Sequence, residues 1–187
     1  QMVPCFLIVV LILLSYNTRS MGFTAGILFC YSPWAVFGII PVIGAVLFGK
    51  KQRADTVSKT LMNVLSPVNI VSALIILIIF GSYYMSNSGA VDHKGFTWSF
   101  LDRPVMFIPY YLIFIALEVV PFVIVLYKRK KNDPIFWASV FTLLVIPFYL
   151  ITNMNDLCMR GSMPALFYFC ISFSALVIEI MDEKNTP

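Results

Sequence analysis

The 187 residues are 60% hydrophobic and 12% charged, with a mean hydropathy of +0.89, against about 25% charged residues in an ordinary soluble domain. This composition excludes an ordinary soluble domain and points to an all-α, polytopic helical membrane protein. The net charge of +4 comes from short basic clusters beside apolar runs, a topology pattern rather than a nucleic-acid surface, and no Walker loop, glycine-rich dinucleotide turn or HExxH offers a nucleotide or zinc site.

A membrane-crossing helix needs roughly 20 apolar residues, and six segments reach or approach that length, so residues 1–187 read as a single transmembrane domain. The first, 3–16, is short and the chain opens on Gln1, which reads as the C-terminal part of a longer protein. A cleavable signal peptide is the weaker reading, because no basic stretch precedes the run and Asn17-Thr18-Arg19 lacks a small-x-small pattern. The second, 22–48, contains Pro33 and Pro41 and is either a kinked helix or two half-helices meeting at Tyr31-Ser32-Pro33. The stretch Lys59 to Ser66 suits the inner interface before the third span, 64–85. The fourth, 104–127, holds Pro109 and Pro121; the fifth, 134–152, holds Pro147; the sixth covers 163–181. Several proline kinks favour a protein that encloses a cavity, although proline is common in membrane helices generally. Trp34, Trp98, Tyr110, Tyr111, Trp137 and Tyr149 fall near span ends, as interface-anchoring aromatics do.

Basic residues are retained on the cytoplasmic side. Lys50, Lys51, Arg53 and Lys59, then Lys128, Arg129, Lys130 and Lys131, then Lys184 share one side if six spans alternate, leaving Arg19, Lys94, Arg103 and Arg160 on the other. Both termini are therefore expected to be cytoplasmic, with outer connections at 17–21, 86–103 and 153–162.

All three helices expected to run inward begin just after an arginine: Arg19, Arg103 and Arg160. A cation at the positive end of a helix dipole calls for a nearby anion. Asp102 and Asp156 neutralise part of that charge, and Ser162 is placed to cap the sixth helix with Pro164 in its first turn. The remaining positive potential, with helix-start amides, suits a phosphate or pyrophosphate. Arg103 and Arg160 would then clamp phosphate, and Asp102 or Asp156 would serve as base or as ligand to a divalent metal, the one cofactor this pattern leaves room for. A carboxylate beside arginines stays ionised, which favours orientation or metal binding over acid catalysis. The competing reading has Asp156 and Arg160 pairing with each other and with lipid headgroups as a structural turn.

His93, the single histidine, lies in the outer loop and could shuttle protons near neutral pH, though a lone loop histidine is more often simply solvated. Glu118, about fifteen residues into the fourth span, is a functional candidate by its depth, or else a protonated acid bonded to a carbonyl freed by Pro121. Cys5, Cys30, Cys158 and Cys170 form no CxxC, and with only Cys158 placed outside they offer no extracytoplasmic disulfide.

The stretch Asn155-Asp156-Leu157-Cys158-Met159-Arg160-Gly161-Ser162-Met163-Pro164-Ala165-Leu166 resembles a pattern in uncharacterised bacterial polytopic membrane proteins, Asn-Asp-x-x-Met-Arg-x-Ser-x-Pro-Ala-Leu. Gly161 and Met163 replace the Ala and the Ile or Leu of that pattern, and the match covers a dozen residues. In plan those proteins resemble multi-spanning lipid-linked glycosyltransferases, with a catalytic acid in an early outer loop and basic residues gripping a polyprenyl phosphate. The resemblance implies an inner-membrane protein of bacterial cell-surface glycan assembly. The acidic loop would lie upstream of Gln1, this segment would supply the lipid-phosphate side, and Asp156 would be an orienting residue. Two alternatives remain open: a proton-coupled transporter or flippase using Glu118, and a non-catalytic membrane scaffold.

Overall fold

The computed structural model describes residues 21–48, 62–63, 65–86, 94–151 and 155–185. The expected first span at 3–16, Arg19, His93 and the basic residues at 50–59 lie outside them. The described residues are mostly helical, as the composition demands, with one pair of three-residue strands added.

The segment expected as the second span is two helices, α1 (Met21–Tyr31) and α2 (Pro33–Phe48). Ser32, 1% exposed, separates them: its amide still donates to Leu28 O at 2.8 Å, while its hydroxyl accepts from Ala35 N at 3.4 Å as an N-cap. Pro33 then opens α2, where its missing amide costs nothing. Pro41 remains inside α2. Leu28, Ala35, Ile39 and Val42 form a buried cluster across the break. α1 packs on α3 (Pro67–Ser86), with Gly26 against the Ile76 side chain. Most other positions of α3 are exposed, and its serines Ser72, Ser82 and Ser86 return their hydroxyls to carbonyls three or four residues back.

Pro104–Lys130 is one helical rod of 27 residues. It opens as a 3₁₀ turn, Pro104–Met106, continues as α4 (Phe107–Phe114), widens into a π turn at Ile115–Val119, and closes as α5 (Val120–Lys130). Pro121 explains the widening. It has no amide to donate, and in a tight α-turn its ring would strike the carbonyl four residues back, so the helix accommodates it with a looser turn. Lys128, Arg129 and Lys130 end the rod where the dipole favours cations.

Asp133 restarts the chain as the N-cap of α6 (Pro134–Val145), accepting from Ile135 N at 2.9 Å. The same carboxylate accepts the Tyr168 hydroxyl at 2.6 Å and faces Lys130 at 3.9 Å. The expected fifth span, 134–152, is corrected here: the helix gives way to a 3₁₀ turn at Ile146–Phe148 and then to strand β2 (Tyr149–Ile151). Pro147 interrupts the helical ladder, and the chain turns extended at Tyr149 to pair antiparallel with β1 (Lys94–Phe96). Gly95 sits opposite Leu150 at a φ of 156°, which favours glycine.

The last connection is also corrected. Residues expected as the polar loop 153–162 are helical from Asp156: Asn155, in the left-handed region with φ 48°, caps α7 (Asp156–Gly161) by accepting from Cys158 N at 3.2 Å. The chain then passes through Ser162 into α8 (Met163–Asn185). Ser162 is not the expected N-cap: its amide donates to Cys158 O at 3.3 Å, its hydroxyl donates to Met159 O, and its carbonyl accepts from Leu166. With α7 already leading in, α8 has no free start for it to cap.

α6 and α8 form the larger core with the π turn and α5, around Val119, Leu126, Phe136, Leu143, Ala165 and Phe169. α2 lies against α6, α7 and α8. Gly38 of α2 meets the Gly161 backbone so closely that a Cβ there would fall 1.8 Å from its carbonyl oxygen. This glycine-to-glycine crossing lets α2 and α7 approach without side chains between them.

Candidate functional site

The two strands gather one end of the bundle. β2 also contacts α7, and the 3₁₀ turn after β1 (Thr97–Phe100) touches both the Ile146–Phe148 turn and the Pro104–Met106 turn. The Thr97 hydroxyl donates to Pro147 O at 2.6 Å, fastening the two connections fifty residues apart in the chain. The connections before the rod and before α7 therefore converge, a result that alternating topology permits without requiring.

Asp102 and Arg103 lie on this sheet end, both exposed, in the short link before Pro104. The Arg103 backbone is extended and its carbonyl accepts from Met106 N at 2.9 Å, which fixes it as the residue preceding the rod. Arg160 is half-buried in the last turn of α7, and Asp156 opens that helix. Ser162 is buried beside them with its hydroxyl committed to backbone. Thus the Asp102-Arg103 link and α7, which carries Asp156 and Arg160, both adjoin the small sheet, the first through the 3₁₀ turns that follow β1 and the second through β2 and the Ile146–Phe148 turn.

Glu118 does not join them. It lies in the π turn, about 21 Å along the rod from Pro104 at 1.5 Å per residue, and its side chain is exposed rather than turned into a cavity. Among the described residues, no three His, Cys, Asp or Glu side chains cluster at metal-binding distance.

The same end holds an aromatic cluster of which the sequence reading singled out only Trp98, Tyr111 and Tyr149, as membrane anchors. Phe96 stacks on Trp98 with ring centroids 4.5 Å apart, and Trp98 meets Phe107 and Phe148 edge-on at 5.8 and 6.1 Å. Phe107 stacks on Tyr111 at 5.6 Å, and both approach Phe148 at 5.5 and 5.0 Å. The Tyr111 hydroxyl donates to Leu144 O at 2.9 Å. Trp98, Pro104, Phe107, Ile108, Tyr111 and Phe148 line an open cleft of about 390 Å³. Two sequence signals point to it: Phe107 and Tyr111 are spaced i,i+4, and Pro147 forces Phe148 out of a regular helix.

At the other end of the rod, Arg129 pairs with Glu179 and lies 4.0 Å from Glu183, while the Trp137 indole donates to Lys131 O at 2.8 Å. These contacts tie α5 to α8 and to the start of α6.

Among the described residues, two helices are long and apolar enough to cross a membrane, Pro104–Lys130 and Leu157–Glu183. Pro33–Ala45, Pro67–Tyr83 and Pro134–Phe148 are shorter apolar helices. Comparison with protein-family models, with curated proteins and with solved structures finds no match to this chain.

Proposed function

We propose that the chain is an integral protein of the bacterial cytoplasmic membrane that acts in cell-surface glycan assembly and holds the phosphate of a lipid-linked sugar at its outward-facing sheet end. The observation that carries this reading is that Arg103 and Arg160, each with an aspartate close by in sequence, lie at the starts of the two longest apolar helices, whose leading segments both adjoin the small sheet. A guanidinium offers a planar fork of donors to phosphate, and a helix start adds a favourable field. Arg103 and Arg160 hold phosphate, with Asp156 orienting Arg160 or joining a divalent metal. Asp102, at the mouth, is the alternative carboxylate. The basic residues Lys128 to Lys131 lie at the opposite end of the rod, as cytoplasmic retention requires. The six-span topology and the glycosyltransferase-like chemistry belong to this proposal.

The test is native mass spectrometry of the full-length protein in mild detergent, comparing wild type with Arg103→Ala and Arg160→Ala. A co-purified polyprenyl-phosphate adduct lost in either variant supports the reading. An adduct that both variants keep, or none in wild type, refutes it.

A second reading, proton-coupled transport, is favoured by one observation: Glu118 sits in a π turn, a helix irregularity that recurs at functional sites. An acid in a span has to be protonated, paired or wet, and a looser turn beside Pro121 offers free carbonyls to it. A scaffold, by contrast, tolerates substitution at both Glu118 and Arg160.

A further inference from the structure

The aromatic cleft is built by bonds directed away from its interior. Thr97 fastens the Trp98 wall to Pro147, the β1–β2 ladder holds Phe96 and Tyr149 behind it, and the Tyr111 hydroxyl is spent on Leu144 O. What remains to line the opening is aromatic rings, a proline ring and the Ile108 side chain. At about 30 Å³ for a water-sized group, 390 Å³ holds a segment on the order of ten carbons, which is one chain and not two. Flat, methyl-branched alkene units match an aromatic-rich lining better than a linear saturated chain does, because their planar groups pack among the rings.

Beside the cleft stands a cation. Pro104 is a wall residue and Arg103 is its exposed chain neighbour. Among the described residues no ion pair involves Arg103. A hydrocarbon-lined space whose wall residue Pro104 is preceded in the chain by an exposed arginine, at the start of a helix long and apolar enough to cross a membrane, is complementary to an amphiphile with a single apolar chain and an anionic end.

We infer that the cleft is a chain-binding subsite: it takes the phosphate-proximal segment of a single-chain isoprenoid phosphate, with the phosphate at Arg103. This deepens the proposed function and rests on it for the phosphate, while the cleft itself rests on the ring cluster. Trp98 is then a reporter within the site.

The experiment uses the full chain in mild detergent with Trp34→Phe and Trp137→Phe, which leaves Trp98 as the one tryptophan of this sequence. Geranylgeranyl phosphate is titrated against Trp98 emission, with geranylgeraniol, inorganic phosphate and dioleoyl phosphatidic acid as comparison ligands. The expected result is a saturable blue shift with geranylgeranyl phosphate, at least tenfold weaker with the alcohol or the two-chain lipid, and absent with inorganic phosphate. Ile108→Phe places a larger ring at an exposed lining position and weakens binding at least tenfold with unchanged elution on gel filtration. Arg103→Ala brings the phosphate down to the affinity of the alcohol.

Equal response to the phosphate and the alcohol, unchanged by Arg103→Ala, overturns the phosphate reading and leaves a hydrocarbon cleft. A lipid-phosphate adduct that Ile108→Phe retains, with Trp98 emission unmoved, overturns the cleft and leaves the phosphate reading standing. Equal response to the two-chain lipid overturns the isoprenoid assignment.

Discussion

Gly38→Ala is the sharpest test of the packing. A Cβ at this position would lie 1.8 Å from the Gly161 carbonyl oxygen, 2.6 Å from its carbon and 3.0 Å from its Cα. All three are backbone atoms, so no rotamer change relieves the clash. Ordinary contact begins near 3.4 Å, which means that α2 and α7 must separate by about 1.5 Å along that line. The separation would loosen Trp34 and the buried Ala35 and Ile39 on the same helix. Overpacking a tight site costs about 1–3 kcal/mol, and a backbone obstacle places this case at about 3 kcal/mol. For a chain of this size 1 kcal/mol moves Tm by about 2–4 °C, so the expected drop is about 6–12 °C. The assay is thermal unfolding in detergent, followed by circular dichroism. Gly44→Ala is the control: nothing lies within 4 Å of its added Cβ, and alanine is the better helix former by about 1 kcal/mol. A Gly38→Ala protein melting within 2 °C of wild type would refute the close crossing.

Other outcomes follow from single contacts. Thr97→Val removes the hydroxyl bonded to Pro147 O and should cost about 1 kcal/mol, with faster amide exchange across Lys94–Phe96 and Tyr149–Ile151 and unchanged exchange in α8. Tyr168→Phe removes the hydroxyl donated to Asp133; a bond to a charged acceptor is worth about 1.5–3 kcal/mol, so Tm should fall by about 3–12 °C. Glu118→Gln should leave Tm unchanged, because the side chain is exposed and surface changes stay within about 0.5 kcal/mol. The same variant abolishes proton-coupled uptake into proteoliposomes if the transport reading is right.

The break at Ser32 was legible because Pro33 follows a small polar residue inside an overlong apolar run. The ends of the rod were legible too, with Pro104 at one end and a basic cluster at the other. Tyr149-Leu150-Ile151 was not, since three apolar residues after a helix continue its hydropathy equally well as helix or strand, and periodicity cannot separate the two over so short a run. Its partner, Lys94-Gly95-Phe96, is more than fifty residues away, and nothing local encodes that pairing. Ser162 looked like a cap because Ser-x-Pro commonly opens a helix. The actual start lies at Asn155, whose left-handed conformation is not written in its identity alone. At the candidate site, the charged members were singled out by their positions at expected span ends. The aromatic cleft was missed because Trp98 and Tyr111, taken singly, fit interface anchors, and Phe107 and Phe148 read as ordinary apolar span residues.

The π turn has a consequence for the rod as a whole. An α-helix advances about 100° per residue, so Tyr111 and Phe122, eleven residues apart, would otherwise lie within about 20° of each other. One wide turn between them holds about one residue more than an α-turn and offsets the two halves by roughly 100°. The half carrying Phe107 and Tyr111 is thereby aimed at Phe148, while the half carrying Phe122 is aimed at Phe169 and Phe173. The rod works as a phase shifter, letting one helix serve two neighbourhoods that a uniform helix could not face together. Deleting a single residue between Ile115 and Val119 would remove the offset, and one neighbourhood could keep its partner only by surrendering the other.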